Sequence, residues 1–377
     1  MSARTVYLDY NASAPVRPGA KAAVIAALDI GANASSVHAA GRAARALIET
    51  AREAVADLVG GKSSAVTFVS GGAEANALAI ESAIAAGCTR IVLGATEHDT
   101  VRQSALESGL PIVEWPVDDR GVADLDWLAA RLAEPGRALV CLMAANNETG
   151  VIQPVVEASS LVGAAGGWLH VDAVQAAGKS LLDISALGRA SLSLSAHKLG
   201  GPQGAGAVVV GEDATLTRRL HGGGQERGLR AGTENVPGIA GFGVAAREAG
   251  GELAAPPSKA GWRDALARQV AEAGAVILGE AARRLDQTLC CAMPGHPAEM
   301  QVIALDLAGV RVSAGAACSS GKVRASHVVA AMGRSDLAPF AIRVSGGWAS
   351  TQDDWLRCGE AWSHINARRA QRRAEFA

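Results

Sequence analysis

The chain has 377 residues, of which 49% are hydrophobic, and its 35 basic and 37 acidic side chains leave a formal net charge of −2. At roughly 150 residues per domain this is enough for two or three domains with sizeable cores. The balanced charge argues against a nucleic-acid partner and against an acidic disordered tail, and no apolar run approaches the roughly 18 residues that span a bilayer, so no membrane role is expected.

Met1–Asn11 reads as a strand entering a turn. It lacks the cationic flank and apolar stretch of a signal peptide, which makes the cytoplasm the expected compartment. From about residue 50 to 210, short apolar strands alternate with helical stretches. The predicted strands are Ala65–Val69, Arg90–Leu93, Pro111–Trp115, Ala138–Leu142, Trp168–Val171, Leu192–Ser195 and Ala205–Val210, with helices over Glu74–Ala86 and Asp99–Ser108. Such strands, short, largely apolar and separated by helices, predict an α/β unit whose parallel sheet is covered on both faces. Ligands then sit beyond the carboxyl ends of the strands. Gly250–Lys259, with Gly250-Gly251 and Pro256-Pro257, reads as a linker into a smaller second unit. That unit has a helix near Asp264–Ala273, strands near Val276–Leu278 and Leu289–Ala292, and helices over Ala298–Ala308 and Asp353 to about Arg369.

Several candidate site residues fall just after these strands. Lys198, in Ser195-Ala196-His197-Lys198, is more often a lysine that snorkels to the surface, but in a cleft it can lose its proton and form a Schiff base with a carbonyl cofactor. Asp172 ends an apolar strand and reads either as a helix cap or as the partner of a protonated pyridine nitrogen. Ser70-Gly71-Gly72-Ala73-Glu74 opens a helix whose backbone N–H groups suit an anion. His98 reads as a capping residue or as an imidazole able to stack on a ring and move protons. Asn146–Gly150 is a turn by composition, placed at the ligand end of the sheet. Arg343, in Ile342-Arg343-Val344-Ser345, reads as a carboxylate clamp or as half of a structural ion pair.

The six cysteines, Cys88, Cys141, Cys290, Cys291, Cys318 and Cys358, show no CxxC pair and no zinc spacing, so free thiols and no metal site are expected. Cys88 and Cys141 read as small buried hydrophobes. Cys318 differs. It lies in Ser313-Ala314-Gly315-Ala316-Ala317-Cys318-Ser319-Ser320-Gly321-Lys322, where few bulky neighbours are available to bury it, and the segment is expected to be mobile.

Taken in order, these segments resemble the cysteine desulfurases, the NifS/IscS-type branch of the fold-type I (class V aminotransferase-like) pyridoxal-phosphate (PLP) enzymes. The resemblance is carried by Tyr7–Ala12, Ser70–Asn76, Ala95–His98, Asn146–Gly150, His170–Gln175, Ser195–Lys198, His221–Thr233, Cys318–Gly321 and Ile342–Ser345. It implies an α/β fold with a mostly parallel central sheet, a large domain over 15–255, and a small α+β domain from 1–14 and 256–377 that carries the cysteine loop at about 314–324. It also implies the site. Lys198 holds PLP and moves protons, Asp172 holds the pyridinium, Gln175 bonds the ring oxygen, and His98 stacks on the ring. Ser195 and His197, with the backbone of Gly72 and Ala73, bind the phosphate, to which Thr233 is added from the neighbouring subunit of a homodimer. Asn147 and Arg343 bind the substrate carboxylate. Cys318 takes the sulfur of L-cysteine as a persulfide, releasing alanine, and passes it to an acceptor protein in iron–sulfur cluster assembly or another thio-cofactor or tRNA thiolation route.

Two departures stand out. Ala73 occupies a position where many relatives have Thr, which removes one hydroxyl from the phosphate cradle. After the Arg-rich stretch 367–373 the chain ends at Ala377, so a longer scaffold-docking tail is not expected. The competing readings are a PLP aminotransferase, which has no need of Cys318, a selenocysteine lyase on the same fold, and a partner protein without chemistry, against which the complete residue set argues.

Overall fold

The computed structural model describes residues 5–254, 259–315 and 325–375. Cys318 lies outside the described residues. In chain order the first elements are β1 (Val6–Tyr7), α1 (Pro18–Ile30), α2 (Ala39–Leu58), β2 (Val66–Val69), α3 (Gly72–Ala85), β3 (Arg90–Gly94), α4 (Asp99–Leu106) and β4 (Ile112–Trp115). Next come α5 (Leu125–Leu132), β5 (Ala138–Cys141), α6 (Val155–Ala164), β6 (Trp168–Asp172), β7 (Ala190–Ser195), β8 (Gly206–Val210) and α7 (Val236–Ala254). The remainder are α8 (Ala260–Glu272), β9 (Val276–Leu278), β10 (Thr288–Ala292), α9 (Ala298–Leu307), β11 (Val310–Arg311), β12 (Ser313–Ala314), α10 (His327–Ala331), β13 (Ala341–Ser345) and α11 (Gln352–Glu375).

Seven strands form one sheet in the order β2-β8-β7-β6-β5-β3-β4. From β7 to β4 every neighbour is parallel, and these strands are largely buried, as their apolar runs require. The expectation of a parallel sheet needs one correction, because β8 runs antiparallel to both β7 and β2. The connection from β7 to β8, residues 196–205, is too short for a covering helix and a parallel return. Two antiparallel steps restore the direction, so β2 points the same way as β7. The carboxyl ends of β2, β3, β5, β6 and β7 therefore meet along one edge of the sheet.

The linker reading of Gly250–Lys259 is also corrected in its first half, since α7 runs helically through Gly250 and Gly251. Glycine costs about 1 kcal/mol against alanine inside a helix. Burial of Phe242, Ala245, Ala246 and Ala249 on one face of the helix, where Phe242 meets Phe68 of β2, and packing of its flanks on α1 and α2 offset that cost. Gly243 permits the close approach, because a Cβ there would stand 2.5 Å from Ala51 Cα.

A four-stranded antiparallel sheet, β12-β13-β10-β9, is packed by α8, α9 and α11 around a second core that includes Leu8, Leu289, Val344, Trp355 and Trp362. The chain's first strand joins this part of the molecule, since β1 pairs in parallel with β11 and Asp9 bridges Ser345. Among the described residues no helix is long and apolar enough to cross a membrane.

Candidate active site

Nine of the residues singled out from the sequence converge on one cavity of about 340 Å³ at the carboxyl edge of the large sheet. Its wall includes Gly72, Ala73, His98, Asn147, Asp172, Gln175, Ser195, His197 and Lys198. The strands explain the convergence. Asp172 ends β6, Ser195 ends its parallel neighbour β7, and Lys198 closes the short turn after it. Gly72 opens α3 directly after β2, and His98 precedes α4. A larger cavity of about 420 Å³ opens on the other side of Lys198, but it shares only that residue with the nine.

The lysine amine is held at the cavity floor, where Lys198 Nζ donates to Asn11 O at 2.6 Å and to Ala12 O at 2.9 Å. Asp172 is bound on both oxygens, with Val174 N donating to Oδ1 at 3.0 Å and Asn76 Nδ2 to Oδ2 at 3.0 Å. His98 has the position that its capping reading requires, and it faces the cavity. It caps α4, its Nδ1 accepting from Thr100 N at 3.2 Å, and it also lines the cavity. Gln175 is oriented by two partners: Lys179 Nζ donates to its Oε1 at 2.9 Å, and its Nε2 donates to Asn11 O at 2.9 Å.

The site's electrostatics follow from burial. Desolvation, with the cationic Lys198 and Lys179 nearby, pushes His197 down to about 4, so that imidazole is neutral near pH 7. Desolvation and the charge of Lys198 push the Lys179 amine down to about 7. Glu97, fully buried and near Asp172, is pushed well above the usual carboxylate range.

Two predicted residues stand apart from the cavity wall. Arg343, on β13, is paired with Asp9 at 2.7 Å and reaches the wall through Asn147, whose carbonyl accepts from Nη1 at 3.2 Å. Its buried Nε has no hydrogen-bond partner among the described residues. Thr233 is exposed and lines a separate cavity beside β2 and Arg230.

Sequence reasoning gave no role to Asn76, Thr100, Lys179 or Asn11, each of which bonds to a predicted residue, or to His170, which bonds to Asn76. Asn76, His170 and Asn11 stood inside the matched motifs. Lys179 had one visible signal, its spacing of four from Gln175. The five described cysteines are all buried. Burial pushes Cys88 up to about 11 and Cys291 and Cys358 up to about 12, and raises Cys141 and Cys290 well above the ordinary thiol range.

The chain belongs to the aminotransferase class-V family, which it matches over residues 6–356. It is 41% identical to a cysteine desulfurase of Cereibacter sphaeroides over 339 residues, 87% of this chain and 86% of the relative. It is 37% identical to the cysteine desulfurase IscS of Dictyoglomus turgidum over 362 residues, 93% of this chain and 92% of the relative. Its fold superposes on a NifS-like protein from Rickettsia africae with a TM-score of 0.87 at 32% identity, covering 96% of this chain and 99% of that one. The resemblance drawn from the motifs is borne out.

Proposed function

We infer that the protein is a cysteine desulfurase that converts L-cysteine to L-alanine with PLP as cofactor. The observation that carries this is the meeting of Lys198, Asp172, Gln175 and His98 around one cavity, in a chain whose relatives bear that name over most of their length.

The residues fit the cofactor. Lys198 lines the same cavity as a carboxylate whose two oxygens are already oriented. The start of α3 forms a tight cradle, because a Cβ on Gly72 would stand 3.0 Å from Val174 Cγ2. Backbone N–H groups at a helix N-terminus favour a phosphate, and the cationic lysines nearby favour the same charge. When bound, PLP would supply an electron sink, through a protonated ring nitrogen, for the electron pair left on the substrate when the α-proton is removed.

Each side chain has a defined task. Lys198 Nζ holds the cofactor and then takes and returns the α-proton. Asp172 would hold the ring nitrogen, and Gln175, whose Oε1 is engaged by Lys179, would donate the second proton of Nε2 to the ring oxygen. His98 would cover the ring and move a proton. Ser195, His197 and the backbone of Gly72 and Ala73 hold the phosphate, and Thr233 of a homodimer is added from the neighbouring subunit. Asn147 and Arg343 take the substrate carboxylate, for which the unpaired Arg343 Nε is a donor in reserve.

Cys318 is the sulfur acceptor. Its thiolate attacks the substrate sulfur, the S–S bond forms as the C–S bond breaks, and the electron pair left on carbon is protonated to give alanine. Carbon is reduced and sulfur oxidised, so no external oxidant is needed. The five described cysteines support this assignment, since buried thiols with raised pKa supply almost no thiolate. The persulfide then passes to an acceptor protein in iron–sulfur cluster assembly or another thiolation route.

The test is to incubate the PLP-supplemented protein with L-cysteine and dithiothreitol and to measure alanine and sulfide together. Equal amounts are expected, with neither from Lys198→Ala, and alanine without sulfide would overturn the reading. Cys318→Ala should retain the cofactor and release no sulfide.

A further inference from the structure

One buried side chain beneath the cavity joins the two groups on which the proposed chemistry depends. Asn76, on α3, is 1% exposed. Its carboxamide makes three hydrogen bonds: Nδ2 donates to Asp172 Oδ2 at 3.0 Å and to Thr100 Oγ1 at 2.9 Å, and Oδ1 faces His170 Nε2 at 3.0 Å.

The direction of every bond can be fixed by starting where there is no choice. The indole nitrogen of Trp168 can only donate. It lies 3.1 Å from Ser191 Oγ, so that hydroxyl accepts from it and keeps its own proton to give to His170 Nδ1, 3.1 Å away. His170 and Ser191 are register partners on β6 and β7. Burial holds the His170 pKa down to about 4, so the ring is neutral near pH 7, and because the Asp172 carboxylate accepts and so turns Asn76 Nδ2 to itself and Oδ1 to His170, the single ring proton is on Nε2. That proton is donated to Asn76 Oδ1, which turns Nδ2 toward Asp172 and Thr100. The Thr100 hydroxyl, accepting from Nδ2, donates to His98 Nδ1 at 2.9 Å. The cap of α4 requires the same answer independently, since Thr100 N donates to the same nitrogen at 3.2 Å. His98 is therefore protonated on Nε2.

We propose that Asn76 is a positioning residue of the site, through which a one-way hydrogen-bond chain from the Trp168 indole aims the Asp172 carboxylate and fixes His98 as its Nε2–H tautomer. The chain stands on the protein's own atoms, and only its purpose, to hold a pyridinium partner and a ring-covering imidazole in register, rests on the proposed function. Coupling the two matters because a pyridinium bonds one carboxylate oxygen in one direction, while an imidazole that moves protons must present a defined nitrogen.

The first measurement uses the full-length, ligand-free protein with ring-¹⁵N histidine. The His98 resonances should show a protonated Nε2 and a bare Nδ1 across pH 6 to 9, and a protonated Nδ1 would overturn the chain. This readout needs no cofactor. Failure to bind PLP would therefore sink the proposed function while leaving the hydrogen-bond chain to be judged by its own spectrum.

The second measurement uses the PLP-loaded protein. Asn76→Leu keeps the side chain's size and removes its polarity. It should weaken PLP binding about tenfold, the scale of one lost hydrogen bond to a charged group, and shift the pH midpoint of the cofactor's absorption band. Unchanged affinity and midpoint would overturn the positioning role. If that variant fails to fold, Asn76→Asp is read in its place. It sets a second carboxylate against Asp172, so the pair retains a proton and PLP affinity should fall as the pH rises through its release. Wild-type affinity from pH 6 to 9 would equally overturn the role.

Discussion

Lys179 is a half-buried cation whose side-chain hydrogen-bond partners are neutral. Its Nζ donates to Gln175 Oε1 and, at 3.4 Å, to Asn11 Oδ1, and no carboxylate pairs with it among the described residues. Desolvation and the charge of Lys198 bring its pKa from 10.5 down to about 7. In the unfolded chain the amine binds its proton up to the ordinary value. Between about pH 7 and pH 10.5 the unfolded state therefore holds more proton than the folded one, and stability rises with pH. Below pH 7 both states are charged and the burial cost is fully present. We predict that ligand-free Lys179→Met is more stable than wild type at pH 6.5 and loses that advantage toward pH 10. The change should amount to as much as about 1.4 kcal/mol per pH step, read from urea midpoints. A constant difference between the two proteins would show that Lys179 stays charged throughout. The residue was invisible as a functional group in the sequence because its environment is assembled from Asn11, 168 positions away. Lys198 and Asp172 were legible because each lies at the end of its own strand.

At the level of elements, the strands were readable because a strand buried on both faces must be apolar along its length, as Ile91–Leu93 and Leu139–Cys141 are. The direction of β8 was not, since Gly206–Val210 is as apolar as the parallel strands of the sheet and only the short connection from β7 reverses it. The continuation of α7 through Gly250 and Gly251 was hidden for a similar reason: local propensity said linker, while tertiary packing on α1 and α2 said helix. The place of Gly206 beneath the Gly71–Gly72 turn, the proposed phosphate cradle, is also a fact of pairing. A Cβ there would stand 2.6 Å from Gly71 Cα, 2.7 Å from Gly71 C and 2.8 Å from Leu194 O, all backbone atoms that cannot swing away. Gly206→Ala should therefore cost about 1–3 kcal/mol in unfolding free energy and, by pushing the Gly71–Gly72 turn into the cavity, weaken PLP binding as well. A variant of unchanged stability and unchanged PLP affinity would mean that the turn before α3 yields without consequence.

For the whole molecule, the question is whether one chain holds a complete site. The segment leading to Thr233 passes through Glu226 and Arg227 at φ of 45° and 56°, strained for residues with a side chain. It is pinned from below. Arg52 makes two hydrogen bonds to the Glu226 carboxylate, at 2.7 and 2.8 Å, and Phe68 N donates to the same group. Such strain persists only where the surroundings hold it, and here the result is a fixed loop that leaves Thr233 exposed beside a different cavity from that of Lys198. A homodimer in which Thr233 serves the neighbouring phosphate makes a prediction that a self-contained site does not. Lys198→Ala homodimers should release no sulfide, and Thr233→Ala homodimers should bind PLP weakly. In a mixed dimer of the two, the Thr233→Ala chain keeps its own Lys198 and receives an intact Thr233 from the other chain, so one of the two sites is wholly wild type. Mixing co-expressed variants should thus restore wild-type PLP affinity at half the sites and half the sulfide release per dimer. If Thr233 acts within its own chain, the only site with a lysine still lacks its threonine, and the mixed dimers will bind PLP no more tightly than the Thr233→Ala parent.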